Sequence, residues 1–592
     1  MNDVVGAAVT GRWLVGLDAA GGPTLPDRGL IGGKAWSIAH MQSLGLPTPP
    51  AFVVTTEACL EYQRSGTMPD GLETELQAGM RWLEGRSGRR FGGDEKPLLV
   101  AVRSGAAISM PGMMDTLLNL GISEANLAAL AAESGDAAFA RDTYRRFLQL
   151  YAEVVLGTDC PELKCGENLG DWRAKVERNA GRAVPDDSMR QLSAAVQAVF
   201  DSWNSRRARR YRKHHGIPET LGTAVTVQLM VFGNFDGQSG TGVLFSRNPL
   251  DGSPVPYGEY LRRAQGEDVV SGRHTPQSLD DLHAHSPRLH AQLLTAAGRL
   301  EESNREVQDI EFTVQRGTLY LLQSRTAKRA PAAAVRIAVD MQREGAIDIA
   351  EAISRVTPAQ VRSLLSPRLT AAAARTTPLA TGNGVSPGVG AGVVVTSADE
   401  AESRAKRGED VILATATTCP DDVHGMIAAR AVVTEFGGST SHAAVVGRSL
   451  GLPCVVGCGA GAVTALDGET VTVDGGAGGV YPGVLEIDHP DEREDEWLRQ
   501  LLQWVAERSP LRVLRPDEAP EEDILDLDAL EAAADPDRLA ELLREVEAAG
   551  GRTVSSDEGI AAALAAKLRY IVAEPTLPPL LAAVQMSAGK ES

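Results

Sequence analysis

Residues 434–453, TEFGGSTSHAAVVGRSLGLP, leave the backbone little choice. The apolar run AVVTEF reads as a buried strand that ends at Phe436. Gly437 and Gly438 make the turn, Thr440 or Ser441 caps the helix that follows, and Gly451 and Pro453 stop it. His442 therefore falls in the first helical turn. Backbone N–H groups without helical partners and the positive end of the helix dipole stabilise an anion there, and the glycines let it approach the main chain. A phosphorylated imidazole needs that setting. A lone histidine near a cap more often only packs, but the glycine pair, the hydroxyl residues and the AAVV helix together favour the phosphohistidine.

At 592 residues the chain exceeds what one hydrophobic core usually serves, so about three to four domains are expected. A net charge of -20 argues against nucleic acid or an anionic membrane as a general partner. The basic run SRRARRYRKHHG, residues 205–216, follows LSAAVQAVFDSWN and reads as the solvated end of an amphipathic helix. Cys59, Cys160, Cys165, Cys419, Cys454 and Cys458 form no CxxC pair and no zinc-like spacing with histidine, so reduced buried thiols are expected. The N-terminus lacks a basic segment before its apolar part, and no later run reaches the length of a membrane span. A cytoplasmic protein with no membrane contact is the expectation.

Along the chain, helical and strand patterns alternate to about residue 330, with a helical insert at about 125–215. Residues 331–375 read as a helical segment running into a linker of small residues and prolines, expected to be exposed and extended from about 366 to 385. Residues 376–485 alternate β-branched runs with glycine turns, as in a compact β/α domain, and 486–592 form an acidic, alanine-rich extension of unknown role.

At His442 the sequence resembles the phosphoenolpyruvate-utilising family, and within it the pyruvate, phosphate dikinases, whose swivelling domain carries its phosphorylated histidine in a GG-x-T-x-HA pattern. The resemblance implies His442 as the catalytic phosphohistidine on a loop of Gly437, Gly438, Thr440 and Ser441, with Thr440 at the position of a regulatory threonine. Ser439 and the pair Glu435-Phe436 depart from the dikinase pattern. Farther upstream, GLIGGKAWS lacks the GxxxxGK[ST] spacing of a phosphate loop, with Arg28 at its start and Ala35 after Lys34. It is similar instead to the lysine-bearing start of the family's ATP-grasp domain. AVRSGAAISMPGMMDTLLNLG, residues 101–121, matches the family at almost every position and implies Arg103 as a phosphate clamp, since a guanidinium bridges two oxygens.

In DIEFTVQRGTLYLLQSRTAKR, Asp309 and Glu311 are spaced i, i+2 on a strand and face one side, which suits two oxygens reaching Mg²⁺. The resemblance assigns Asp309, Glu311 and Gln323 to the metal. It assigns Lys34, Arg103, Gln323 and Arg325 to ATP, Gln228 and Met230 to the base, and Gln265 and Glu267 to the region of the phosphates. For the acids and Gln323 to share a face, a two-residue turn at Arg316-Gly317 is excluded, because it pairs Ile310 with Gln323. A three-residue loop, 315–317, with Gly317 left-handed is expected, with Ile310, Phe312 and Val314 on the core face.

The resemblance covers about residues 10–485. It implies an α/β and α+β multidomain fold: an ATP-grasp nucleotide-binding region (1–330), a helical linker, a swivelling phosphohistidine domain (376–485) and a small C-terminal α/β extension. The implied activity is an ATP-dependent phosphotransferase in which Lys34 and Arg103 assist transfer to His442. Its overall reaction converts ATP, phosphate and pyruvate to AMP, pyrophosphate and phosphoenolpyruvate, with Mg²⁺ and ATP as cofactors and a homodimer as a possible assembly. The 107 residues after Leu485 are too few for a pyruvate-binding barrel of about 250 residues, so a separate barrel protein is expected. An alternative sends the phosphate to another acceptor, as in antibiotic-phosphorylating relatives. A nucleotide sensor without turnover is a third reading, opposed by the intact Lys34, Arg103, Asp309, Glu311 and His442.

Overall fold

A strand that alternates polar and apolar side chains sends its apolar set into one core, and this organises the N-terminal half. In the strand Gln308–Gln315, Ile310, Phe312 and Val314 point one way and Asp309, Glu311 and Thr313 the other. The apolar three are buried with Ile31, Ile38 and Met41 of the helix Arg28–Ser43 and with Leu293 and Leu300 of the helix Pro287–Asn304. The computed structural model describes every residue except 1–9, 18–24, 109, 111–115, 165–166, 267, 269–276, 439–440, 521–523, 530–535 and 589–592. It divides the chain into two units. The first comprises Met1–Asn248 and Pro254–Lys328, the second Pro249–Ser253 and Arg329–Ser592.

The first unit holds two five-stranded antiparallel sheets. One runs in the order Leu14–Leu17, Ala51–Val54, Ala224–Leu229, Val100–Gly105, Thr116–Leu120. The other runs Gln277–Ser278, Tyr257–Arg262, Gly240–Phe245, Gln308–Gln315, Thr318–Thr326. Between residues 127 and 214 the helices Leu127–Ser134, Ala137–Val154, Leu169–Ala180, Ser188–Trp203 and Arg206–His214 follow one another. Phe147, Trp172 and Phe200 from this run are buried in one cluster with Val100 and Val102.

Two expectations are corrected here. The hairpin does use the two-residue turn: Gln315 pairs with Thr318, and Arg316 and Gly317 both take positive φ, 51° and 71°. A bulge between Glu311 and Phe312 then absorbs Leu322, so that Phe312 pairs with Leu321 while Glu311 pairs with Gln323 and Asp309 with Arg325. The shared face is reached by a bulge and not by a longer loop. The basic run is also no helix tail. Ser205 caps a separate helix through Ala208 N–H at 3.3 Å, and Arg212 is fully buried, over the Trp203 ring at 4.2 Å and donating to the Trp203 carbonyl at 2.6 Å.

In the second unit an eight-stranded mixed sheet runs in the order Ala380–Thr381, Gly479–Pro482, Thr470–Asp474, Val389–Val395, Val411–Thr415, Ala431–Thr434, Cys454–Val456, Asn383–Ser386. Its central strands are parallel, and β-branched side chains fill a core on each face. The linker is mostly exposed but not extended throughout. Arg368–Leu369 pairs with Ile487–Asp488, and Leu369 and Ala373 are buried against Tyr481, so the chain enters and leaves this sheet side by side.

The last hundred residues build a parallel four-stranded sheet with flanking helices. They are fastened to the helices Pro331–Arg343, Ile349–Ser354 and Pro358–Leu365. Trp497 donates to Asp340 at 3.0 Å, Gln585 to the Val356 carbonyl at 2.8 Å, and Arg362 pairs with Asp557 at 2.7 Å. Of the described cysteines, Cys59 and Cys454 are buried, Cys160 and Cys458 are intermediate, and Cys419 is exposed, contrary to the expectation of uniformly buried thiols. No described helix is long and apolar enough to cross a membrane.

Gly317→Ala tests the turn. A Cβ there meets only Gln238 Oε1 at 3.7 Å, so the cost is backbone strain alone. Urea unfolding of the full chain is expected to show a loss of about 1–2 kcal/mol in the transition that reports the hairpin.

Candidate active site

The site begins at a kink. Gly32 interrupts the helix Arg28–Ser43 with φ 75°, and a Cβ on it would lie 1.9 Å from the Gly105 carbonyl oxygen, so only glycine lets the helix touch the end of the strand Val100–Gly105. Gly33 N–H donates to the Ala106 carbonyl at 2.9 Å. On the other side Ser37 is tied to the hairpin, its hydroxyl donating to the Ser324 carbonyl at 2.8 Å and accepting from Ser324 N–H at 2.9 Å. The helix is thus pinned to both sheets, and Lys34 lies between the pins.

Lys34, Arg103, Asp309, Glu311, Gln323 and Arg325 line one cleft of about 810 Å³. Arg103 Nη2 stands 3.3 Å from Gln323 Oε1 and 3.6 Å from Glu311 Oε2, while Arg325 Nε donates to Asp309 Oδ2 at 2.8 Å. Burial, and then the Arg103 guanidinium, lower the Lys34 pKa to about 8, against an upward pull from Glu311. Asp309 Oδ1 is buried without a hydrogen-bond partner. That orphaned oxygen, with Glu311 and the Gln323 amide oxygen on the same face, is the hard-oxygen donor set that Mg²⁺ takes. The residues fit the metal.

Other sequence candidates lie elsewhere. Gln228 is buried in its strand and donates to the Pro49 carbonyl at 3.4 Å, Met230 packs on the apolar core, and Gln265 donates to Asn234 at 3.3 Å. None of the three lines the cleft. Glu267 and Thr440 lie outside the described residues. The sequence reading missed Arg28, Trp36, His40, Gln308 and Lys328, all of which line the cleft. The i, i+4 spacing of Trp36 and His40 was the available signal.

The second unit presents His442 at the start of the helix His442–Leu450. Ser441 is the cap, its hydroxyl accepting from Ala444 N–H at 3.4 Å. Gly437, at φ 123°, turns the chain out of the strand Ala431–Thr434. The His442 Nδ1 stands 3.2 Å from the Thr418 hydroxyl, and among the described residues Nε2 has no hydrogen-bond partner. A ring held at Nδ1 in this way leaves Nε2 open. The departure at Glu435 has a structural use. Its buried carboxylate accepts the Thr464 hydroxyl and the Thr464 N–H at 3.3 Å, which bridges the histidine loop to the loop 459–464 and holds its pKa below the usual carboxylate range.

Residues 61–284 match the AMP/ATP-binding domain of pyruvate phosphate dikinase, and residues 407–478 match the mobile domain of PEP-utilising enzymes. The chain is 41% identical over 543 residues to a pyruvate, phosphate dikinase of Rhizobium meliloti (strain 1021), covering 83% of this chain and 60% of the relative. It is 42% identical over 529 residues to pyruvate, phosphate dikinase 2 of Zea mays, covering 83% and 60%. It is 40% identical over 532 residues to a pyruvate, phosphate dikinase of Clostridium symbiosum, covering 84% and 61%. The chain therefore spans about three fifths of the length of these relatives.

A Lys34 pKa of about 8 makes ligand binding proton-linked. An anion in the cleft favours the ammonium, so the bound form titrates higher than the free form. Between the two values binding takes up a proton, and affinity falls as pH rises past about 8. Calorimetry with a non-hydrolysable ATP analogue at pH 8.5, in buffers of different ionisation enthalpy, is expected to show this uptake, and Lys34→Met to abolish it.

Proposed function

We propose that this chain, which belongs to the pyruvate, phosphate dikinase family through its nucleotide-binding and mobile domains, is an ATP-dependent phosphotransferase that loads a phosphoryl group onto His442. The observation that carries the reading is the meeting of Lys34, Arg103, Asp309, Glu311 and Gln323 in one cleft. Their types match a magnesium triphosphate, with acids for the metal and cations for the phosphates.

Asp309, Glu311 and Gln323 would hold Mg²⁺, which when bound offsets charge on the phosphate oxygens. Arg103 clamps phosphate oxygens through two N–H groups, and Lys34 adds a point charge that burial leaves under-solvated. Arg325 balances Asp309 and orients it. Neutral His442 attacks the β-phosphorus through Nε2 and displaces AMP, orthophosphate then takes the terminal phosphoryl group as pyrophosphate, and the N–H groups of the first helical turn accommodate the oxygens that remain on the ring. In the dikinase form of the reaction, ATP and orthophosphate give AMP and pyrophosphate while one phosphoryl group stays on His442.

The domain limits follow from this division of labour: nucleotide binding in 1–330, a helical linker in 331–375, phosphoryl carriage in 376–485 and an extension in 486–592. The paired strands Arg368–Leu369 and Ile487–Asp488 offer a hinge at which the carrier domain turns. The described residues after 485 form a four-stranded sheet and not an eight-stranded barrel, so pyruvate as acceptor calls for a barrel beyond them. A separate barrel protein is one source of it.

Incubation of the full chain with labelled ATP, Mg²⁺ and orthophosphate is expected to give an acid-labile, base-stable label that His442→Ala abolishes. Thr418→Val is expected to slow labelling by roughly tenfold, since it removes one hydrogen bond that orients the ring. Asp309→Asn and Glu311→Gln are expected to raise the Mg²⁺ concentration needed for half-maximal labelling. A labelled His442→Ala protein would rule out this histidine as the carrier.

A further inference from the structure

Arg28 enters the sequence reading only as the residue that spoils a phosphate-loop match. In the folded chain it is exposed and lines the same cleft as Lys34 and Arg103. Its guanidinium lies over the Trp36 ring, 5.5 Å from the ring centre. Trp36 stacks on His40 at 5.1 Å with 6° between the rings, and His40 Nε2 stands 3.2 Å from the Ser303 hydroxyl on the helix Pro287–Asn304. Three planar groups are thus arranged in sequence along one helix and anchored at the far end.

The other guanidiniums of the cleft face acids, Arg103 facing Glu311 and Arg325 facing Asp309. Arg28 has no such partner among the described residues. An aromatic ring holds a guanidinium through the face of its π-system and leaves the N–H groups at the guanidinium edge available to an acceptor. A cation positioned without a carboxylate, in a cleft built for phosphate, has the chemistry of an anion ligand. The bland alternative, an exposed arginine resting on a tryptophan, explains neither the His40 stack nor the cleft-lining position.

We propose that Arg28 is a further phosphate-binding residue of this cleft, held in place by the Trp36–His40 stack. Its ligand is a phosphate dianion, either free orthophosphate or the terminal phosphoryl group of ATP. The inference rests on the phosphotransferase reading. It adds a binding contact and no covalent step.

The test is calorimetric titration of the full chain with orthophosphate and, separately, with Mg²⁺ and the β,γ-imido analogue of ATP. Arg28→Ala is expected to weaken one of them by about tenfold or more, the loss of a charge-assisted pair of hydrogen bonds. Loss with orthophosphate names the free ion as the ligand, and loss with the analogue names the terminal phosphoryl group. Arg28→Lys recovers part of the affinity because charge remains but the fork is gone. Trp36→Leu lowers the affinity for the same ligand, and the Arg28→Ala, Trp36→Leu double variant binds no worse than Arg28→Ala alone. Unchanged affinity for both ligands in folded Arg28→Ala protein overturns the proposal, as does full additivity of the two losses. Neither titration requires phosphorylation of His442, so failure of the labelling experiment leaves this readout standing. If Arg103→Ala also leaves both affinities unchanged, the phosphotransferase reading of the cleft fails instead.

Discussion

The first unit depends on one cation that reaches from one sheet to an acid and an amide on another. Arg103 belongs to the strand Val100–Gly105, while Gln323 and Glu311, 3.3 and 3.6 Å away, belong to the hairpin of the second sheet. Charges drawn out of water cost free energy unless paired, and here the pairs are Arg103 with Glu311 and Arg325 with Asp309. A magnesium triphosphate presents the complementary pattern, cation to the acids and anion to the guanidiniums. The pairing that satisfies the protein thereby also matches the ligand proposed for it. Lys34 joins this arrangement because Gly32 and Ser37 fix its helix to both sheets.

On the proposed reading, the second unit meets a different problem, how to carry a negative group on a half-buried imidazole. The parallel strand Ala431–Thr434 points its carboxyl end at the turn, Gly437 reverses the chain, and the Ser441 cap starts the helix at His442. Thr418, from the loop after the neighbouring strand Val411–Thr415, fixes the ring from the side. Each of these elements lies at the carboxyl ends of two neighbouring central strands of one sheet. The arrangement is therefore self-contained within its domain, which suits the group-carrier role proposed for it. The helices before the eight-stranded sheet and the residues after it are joined to each other through Trp497, Gln585 and Arg362.

Much of this was legible in the sequence, for physical reasons that differ by residue. Alternation placed Asp309 and Glu311 opposite Ile310 and Phe312, because strand period is local geometry. Turn and cap chemistry placed His442, because Gly-Gly and Ser act within a few residues. The hairpin register escaped, since the bulge that absorbs Leu322 has no local signature and is set by pairing across strands. The separate basic helix escaped because the Ser205 cap was overlooked within a charged run and the burial of Arg212 depends on Trp203. Arg28, Trp36 and His40 escaped because their meeting with the acids is tertiary, and a kinked helix obscures the usual periodicity.

The central claim is that the cleft serves a phosphohistidine with dikinase chemistry, and the nucleotide product tests it most directly. The measurement is a single-turnover reaction of the full chain with Mg²⁺, ATP and orthophosphate, quenched in base to preserve the phosphohistidine, with nucleotides and labelled protein counted together. The account predicts AMP and pyrophosphate, each formed one for one with phosphohistidine at residue 442. ADP formed one for one with the phosphohistidine, in place of AMP, would contradict it.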